Sequence, residues 1–327
     1  MNTKWLLQFA VLLFARGAAE VDSTTGAGDE TVRRFKHCGA GKCLHEAAYT
    51  SNLLAVQDIL AHDVERVDSR RSGGRTALHR VGYDAATRGD GTAAAIVARE
   101  LLNAGADANA RDKFWFTPLM MAASSGLAGV ARVLLESGAH CSHDKKDRRT
   151  PLMLASLHGH VDVVRLLLVH CGSDRGGGGS GGGGDGAPAP AFSVSQYDVH
   201  GWTALHLAIA NVHKDAPTWA KIVRLLLDHG AEVDAVDAHG RTPLMYAAHT
   251  GSAAIVAVLL RHNASVEAHD TESRTPLTWA QLGQSSGREH VMEMLREAAV
   301  QRALDRHRLW LEQSDELDAR RDDVREL

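Results

Sequence analysis

The tetrapeptide Thr-Pro-Leu-Met stands at residues 117–120 and again at 150–153, an interval of 33. The same interval separates Thr242-Pro243-Leu244-Met245 from Thr275-Pro276-Leu277-Thr278. Thr76-Ala77-Leu78-His79 and Thr203-Ala204-Leu205-His206 carry the motif with Ala in place of Pro, and Lys42-Cys43-Leu44-His45-Glu46-Ala47-Ala48 is a degenerate first copy. A fixed period of this length is the mark of an array in which each unit is too small to bury its own apolar face. The 327 residues would otherwise suffice for two or three globular domains. The repeat points instead to one extended stack.

A second signal follows most copies. Leu101-Leu102 precedes Ala104-Gly105-Ala106-Asp107, Leu134-Leu135 precedes Ser137-Gly138-Ala139, and Leu226-Leu227 precedes His229-Gly230-Ala231. Thr before Pro opens a helix, since the Thr oxygen caps free N–H groups and Pro at the first position lacks a donor that would be orphaned there. Leu152, Leu154 and Ala155 give the first helix an apolar face; Val161, Val164, Leu167 and Leu168 give the second one at helical spacing. Ala122, Ala123, Ala247 and Ala248 are small enough for close helix approach, and Gly138 and Gly230 stand where a helix ends in a left-handed residue.

With these residues the chain resembles the ankyrin repeat family, over about seven copies spanning residues 41–311. The resemblance implies an all-α ankyrin-repeat solenoid, with two antiparallel helices and a short β-hairpin per repeat. It further implies that His45, His79 and His206, at the end of the motif, are structural and hydrogen-bond backbone within and between repeats. Protein–protein recognition on a concave hairpin and helix face is the function that this implies.

Departures from the period locate the insertions. Extra residues fall between the helices of two repeats, around 85–92 and 211–219, and Val81-Gly82-Tyr83 replaces the usual small residues and predicts a distorted first helix. The largest departure, residues 172–197, contains GGGGSGGGG and Ala187-Pro188-Ala189-Pro190. That composition cannot build a core and predicts a loop. No Gly-Lys-Ser/Thr ending makes it a phosphate cradle, and Gly39-Ala40-Gly41-Lys42-Cys43 lacks the spacing and the hydroxyl of a P-loop.

The two ends differ from the body. Residues 1–19 carry Lys4, an apolar run from Trp5 to Ala15 and small residues at 17 and 19, the three-part pattern of a secretory signal peptide. Residues 20–40 read as a linker. The expected location is therefore the secretory pathway, secreted or in the ER lumen, with the cytoplasm as the alternative that the family's habits suggest. Residues 312–327 form a charged tail with seven acids and three bases, a net of −4. The last repeat's second helix, with Val291, Met294, Leu295 and Ala298 on one face, is expected to continue through Leu304 and Trp310 as a polar cap. A formal net charge of −4 argues against a nucleic-acid partner, and no apolar run is long enough for an integral membrane span.

Candidate chemistry is sparse. His140-Cys141-Ser142-His143 and His170-Cys171 could converge on Zn²⁺, but the spacing matches no established ligand pattern. A Cys141–Cys171 or Cys38–Cys43 disulfide is the better reading in an oxidising compartment. Asn263-Ala264-Ser265 is a glycosylation sequon, yet Asn263 also fills a helix-ending position where Asn tolerates the left-handed region. With no recurring Asp, Ser or Cys partner for the motif histidines, no catalytic residues are assigned, the chain reads as non-enzymatic, and no cofactor or metal is implied.

The partner-binding candidates lie at two hairpins. Trp115, flanked by Phe114 and Phe116, occupies the tip that Gly74, Gly201 and Gly240 fill elsewhere, and turn geometry does not explain a bulky residue there. The next hairpin carries Lys145, Lys146, Arg148 and Arg149. Aromatic and Arg side chains dominate the energetics of recognition surfaces, so these seven residues are expected to contact a partner protein.

Overall fold

A computed structural model describes residues 40–62, 67–81, 91–142, 146–172, 193–211 and 216–325. The signal segment, most of the linker, Cys38, Lys145 and most of the Gly/Pro-rich insertion lie outside the described residues. The described chain forms two compact units divided between Lys146 and Asp147.

The first unit holds α1 (Ala40–Tyr49), α2 (Leu53–His62), α3 (77–81), α4 (Gly91–Asn103), α5 (Pro118–Ser125) and α6 (Ala128–Glu136). The second holds α7 (Pro151–His158), α8 (Val161–Gly172), α9 (Ala204–Ala210), α10 (Ala216–Asp228), α11 (Pro243–Thr250), α12 (Ala253–Arg261), α13 (Pro276–Leu282) and α14 (Arg288–Arg325). These are seven helix pairs at the seven motif copies. Within a unit, first helices pack on first helices, as α7 on α9, α9 on α11 and α11 on α13; second helices pack on second helices, as α4 on α6 and α10 on α12. Among the described residues no β-strand forms. The hairpins are tight turns closed by pairs such as Asp237 N to Arg241 O at 3.1 Å and Gly240 N to Asp237 O at 2.9 Å. No helix among the described residues is long and apolar enough to cross a membrane.

The helix starts obey the capping argument. Thr117, Thr150 and Thr275 accept from the backbone N–H three residues on, with Pro118, Pro151 and Pro276 at the first helical position. Thr203 does the same with Ala204 in place of Pro. Thr242 differs: its hydroxyl has no partner, and the Met245 sulfur accepts from the Thr242 N–H at 3.5 Å. The helix ends follow too, with Gly138 and Gly230 at φ 83° and 84° and Asn263 at φ 63°. Ala47, Ala48, Ala122, Ala123, Ala208, Ala247 and Ala248 are fully buried, so backbones meet with nothing larger than a methyl group between them.

The motif histidines link one repeat to the next. His79 Nε2 lies 2.9 Å from the Phe116 carbonyl, His206 Nε2 3.1 Å from that of Arg241 and His45 Nε2 3.0 Å from that of Arg75. Nδ1 of His79 and of His206 accepts from the backbone N–H of Thr76 and Thr203. With Nδ1 accepting, the neutral ring donates from Nε2 to the carbonyl. Of the two inter-helix insertions, the second is anchored within its unit. Asn211 Nδ2 donates to the Leu157 carbonyl at 2.7 Å, and the buried Trp219 ring covers Gly159, where a Cβ would sit 3.0 Å from it.

Burial holds the imidazoles of His79, His158 and His206 below their ordinary pKa. A group depressed in this way is protonated first in the unfolded chain. Stability is therefore full above the unfolded imidazole pKa of about 6.5 and falls as pH drops below it. Urea melts should show a lower midpoint near pH 5.5 than near pH 7.5. A His79→Gln/His206→Gln variant should be less stable throughout but should lose most of that pH dependence. A wild-type midpoint that is flat across this range contradicts the assignment.

Candidate functional site

The hairpin that carries Trp115 is built on Asp112. Its Oδ1 accepts from Phe114 N at 2.8 Å and from Phe116 N at 2.9 Å, while Oδ2 accepts from Arg75 Nε at 3.3 Å. The same device recurs in the second unit. Asp198 receives His200 N and Trp202 N, Asp237 receives His239 N and Arg241 N, and Asp270 receives Glu272 N and Arg274 N, all at 2.8–2.9 Å. The carboxylate folds the turn by taking two N–H groups that would otherwise be left unpaired. It also fixes where the next three side chains project.

Such a turn forces its tip residue into the left-handed region. Gly74, Gly201 and Gly240 have φ of 75°, 76° and 70°. A Cβ at Gly201 would come within 2.9 Å of Ala238 N, and one at Gly240 within 3.3 Å of Thr271 N. Trp115 adopts the same conformation at φ 67°, as do Arg148 at 55° and Ser273 at 60°. An L residue pays about 1–2 kcal/mol there. Trp115 is 39% exposed and Phe114 is 45% exposed. The Arg111 guanidinium lies over the Trp115 ring, 5.4 Å from its centroid.

The seven candidates are placed unequally. Phe114 and Trp115 project from one hairpin of the first unit. Phe116 is half-buried, and its carbonyl is the acceptor for His79. Lys146 is exposed and belongs to the first unit; Arg148 is exposed and belongs to the second. Arg149 is 8% exposed, so its expected role as surface charge is corrected: the residue after a tip is drawn inward, as Arg75, Arg241 and Arg274 also are. Lys145 lies outside the described residues.

Side by side with the Trp115 hairpin, the first unit presents further cations. Arg70, Arg71 and Lys113 are exposed, and Arg70 donates to the Arg111 carbonyl at 2.5 Å. Lys113 N donates to the Gly73 carbonyl at 2.8 Å, tying the two hairpins together.

Sequence reasoning missed an aromatic network in the second unit. Tyr246 and Trp279 each stand four residues after the capping Thr, in α11 and α13. The ring of Tyr246 meets those of Trp202 at 5.3 Å and Trp279 at 6.3 Å, and His249 meets Trp279 edge-on at 5.5 Å. Arg241 and Arg274 lie over Tyr246 and Trp279 at 5.2 and 4.7 Å. Asp237 Oδ2 takes Arg241 Nε at 2.7 Å and Tyr246 OH at 2.8 Å; Asp270 Oδ2 takes Arg274 Nε at 2.8 Å and Trp279 Nε1 at 3.0 Å. Burial alone would raise the Asp237 carboxyl, but these hydrogen bonds from Arg241 and Tyr246 hold it below its ordinary value. Burial pushes the Tyr246 phenol up. The legible signal was the paired Asp-x-x-x-Arg spacing before an aromatic.

Cys141 and Cys171 are both disulfide-bonded, so their sulfurs are not thiolate ligands. Among the described residues no group of three His, Cys, Asp or Glu side chains is placed to hold a metal ion.

Trp115→Gly removes the strain at the tip together with the exposed ring. The unfolding free energy should be unchanged or should rise by up to about 1 kcal/mol. A loss above about 2 kcal/mol in chemical denaturation would show that the indole packs for stability.

Comparison with known proteins agrees with this geometry. The family described as ankyrin repeats (3 copies) matches residues 83–176 and 218–302. The human ASB11 ankyrin repeat domain is 24% identical, with a TM-score of 0.60 over 77% of this chain and 96% of that one. The ankyrin repeat domain of Bcl-3, a member of the IkappaB protein family, is 24% identical, with a TM-score of 0.57 over 78% and 97%. An ankyrin repeat domain from Acinetobacter baumannii is 30% identical, with a TM-score of 0.53 over 68% and 98%. No curated protein matches the sequence. Ankyrin repeats are generally protein–protein interaction modules and typically non-enzymatic. The seven motif copies, the capped helix pairs and these matches lead to one conclusion: the chain belongs to the ankyrin repeat family.

Proposed function

We propose that the chain is a non-enzymatic adaptor or scaffold that holds a partner protein on the hairpin and first-helix face of its repeats. The observation that carries this reading is Trp115, an indole 39% exposed at a left-handed tip. Strain kept at a solvent-facing position is a pointer to function, because a Gly would fold the same turn at lower cost. Phe114 beside it extends the apolar anchor, while Arg71, Lys113 and Lys146 supply charge within the first unit. Large aromatic anchors of this kind contribute most of the binding energy in known interfaces.

Affinity capture with Phe114→Ala/Trp115→Ala tests the reading. Loss of such an anchor pair costs about 2 kcal/mol or more, so captured partner should fall at least about thirtyfold while the thermal melt stays in place. Capture at wild-type level would remove this surface.

We further propose that the protein works in the secretory pathway. The disulfide state of Cys141 and Cys171 supports this reading, since such bonds persist in oxidising compartments and are rare in the cytosol. Non-reducing peptide mapping of protein from its native source should find both residues oxidised. Free thiols at both positions would return the cytoplasmic reading.

A further inference from the structure

Asn263-Ala264-Ser265 is the one Asn-x-Ser/Thr triplet in the 327 residues, and no Pro interrupts it. The three residues follow α12, which is capped by His262. In other repeats Gly105, Gly138 and Gly230 hold the place of Asn263, at φ 90°, 83° and 84°, and Asn263 takes φ 63°. Asn tolerates this region best after Gly, in part because its short side chain can bond the local backbone. Here the turn closes through backbone alone. Asn263 N donates to the Leu260 carbonyl at 3.1 Å and Ala264 N to that of Leu259 at 3.0 Å.

The carboxamide itself is unused. Asn263 is exposed, and its side chain has no hydrogen-bond partner among the described residues. Other asparagines of this chain spend theirs on the fold. Asn52 Oδ1 accepts from Ala55 N at 3.1 Å, Asn109 Nδ2 donates to the Gly138 carbonyl at 3.1 Å, and Asn211 Nδ2 donates to that of Leu157 at 2.7 Å. The flanks of Asn263, by contrast, are held from the preceding repeat. His262 Nε2 lies 3.6 Å from Asp228 Oδ1, Asp234 Oδ1 accepts from Ser265 N at 2.8 Å, and Ala264 is fully buried. A group carried on Asn263 Nδ2 therefore stands in solvent on an anchored turn and displaces no contact of the fold.

We propose that Asn263 is an N-glycosylation site, taking its sugar from a lipid-linked diphospho-oligosaccharide as the chain enters the secretory pathway. Nδ2 attacks C1 of the first sugar. The C1–N bond forms, the C1–O bond to the diphosphate breaks, the amide gives up one proton, and the lipid diphosphate leaves with the bonding electron pair. Ser265 supplies the hydroxyl that such an acceptor requires two residues after the Asn. A bulky, hydrated glycan suits an exposed turn of this kind. Transfer to Asn263 rests on the secretory reading, because the donor presents its sugar in the lumen.

Expression of the full chain in cultured eukaryotic cells tests the site. Wild-type protein should lose apparent mass on treatment with peptide N-glycosidase, and peptide mapping should find Asn263 converted to Asp by that treatment. Ser265→Ala should abolish the modification with Asn263 still in place, since the Asp234 contact is made by the backbone N–H of Ser265 and survives the substitution. Ser265→Thr should retain it. Asn263→Gly should abolish it with an unchanged thermal melt, because Gly fills this place in other repeats. A chain that has lost residues 1–19 and carries oxidised Cys141 and Cys171, yet has a bare Asn263, overturns the site and leaves the secretory reading standing. A chain that keeps residues 1–19 and has free thiols overturns the secretory reading and the site with it. A modification that survives Ser265→Ala overturns the site as well.

Discussion

A helix of seven or eight residues has no standing of its own in water, since the cost of nucleating it exceeds what so few hydrogen bonds return. Five of the first helices, α5, α7, α9, α11 and α13, have seven or eight residues. In the second unit, α7, α9, α11 and α13 persist because the first helix of a neighbouring repeat covers each of them. Everything else follows from that dependence. The contact face must be flat enough for two backbones to approach, which is why Ala122, Ala123, Ala247 and Ala248 are fully buried. Polar groups at the seam must find partners across it, which is why His79 and His206 reach the carbonyls of Phe116 and Arg241. The histidines are thus joints between repeats, and their burial keeps them neutral where an exposed imidazole would begin to charge.

Since the frame repeats, the informative positions are those that break its rule. Trp115, Arg148 and Ser273 take a conformation that Gly fills at the other tips. Thr242 gives up its side-chain cap, and the Met245 sulfur takes the Thr242 N–H as a histidine Nδ1 takes that of Thr76 and Thr203. Tyr246 and Trp279 donate to the hairpin aspartates of their repeats, the same carboxylate oxygens that hold Arg241 and Arg274. Trp115 combines strain with exposure, and the Tyr246–Trp279 network combines rings with satisfied hydrogen bonds. The first is the residue on which the proposed partner contact rests. The second is an ordered scaffold in which Trp202 and Trp279 still reach solvent in part.

How much could be seen in advance depended on how local the cause was. Thr caps, helix-ending Gly138 and Gly230 and the left-handed Asn263 are decided within a few residues, and the sequence sufficed. The identity of the Trp115 tip was visible by alignment with Gly74, Gly201 and Gly240. Arg149 was misplaced because an Arg reads as surface when its neighbours in space are unknown, whereas the residue after each tip turns inward. The hairpin aspartates escaped notice although Asp112, Asp198, Asp237 and Asp270 recur three residues before their tips, because a lone Asp in a turn carries many meanings. In sequence, Lys145 stands three residues before the Arg148 tip. Helix α14 could be extended through Trp310 for want of Gly or Pro.

The dependence of each repeat on its neighbour is tested most directly by hydrogen exchange read by mass spectrometry on a His206→Ala variant of the full chain. His206 lies in α9 and its Nε2 reaches the Arg241 carbonyl of the following hairpin. Loss of protection should spread from α9 into α10 and into α11 and α12, and should fade towards α14. Faster exchange confined to α9, with α11 and α12 as protected as in the wild type, would contradict an array held together by neighbour contacts.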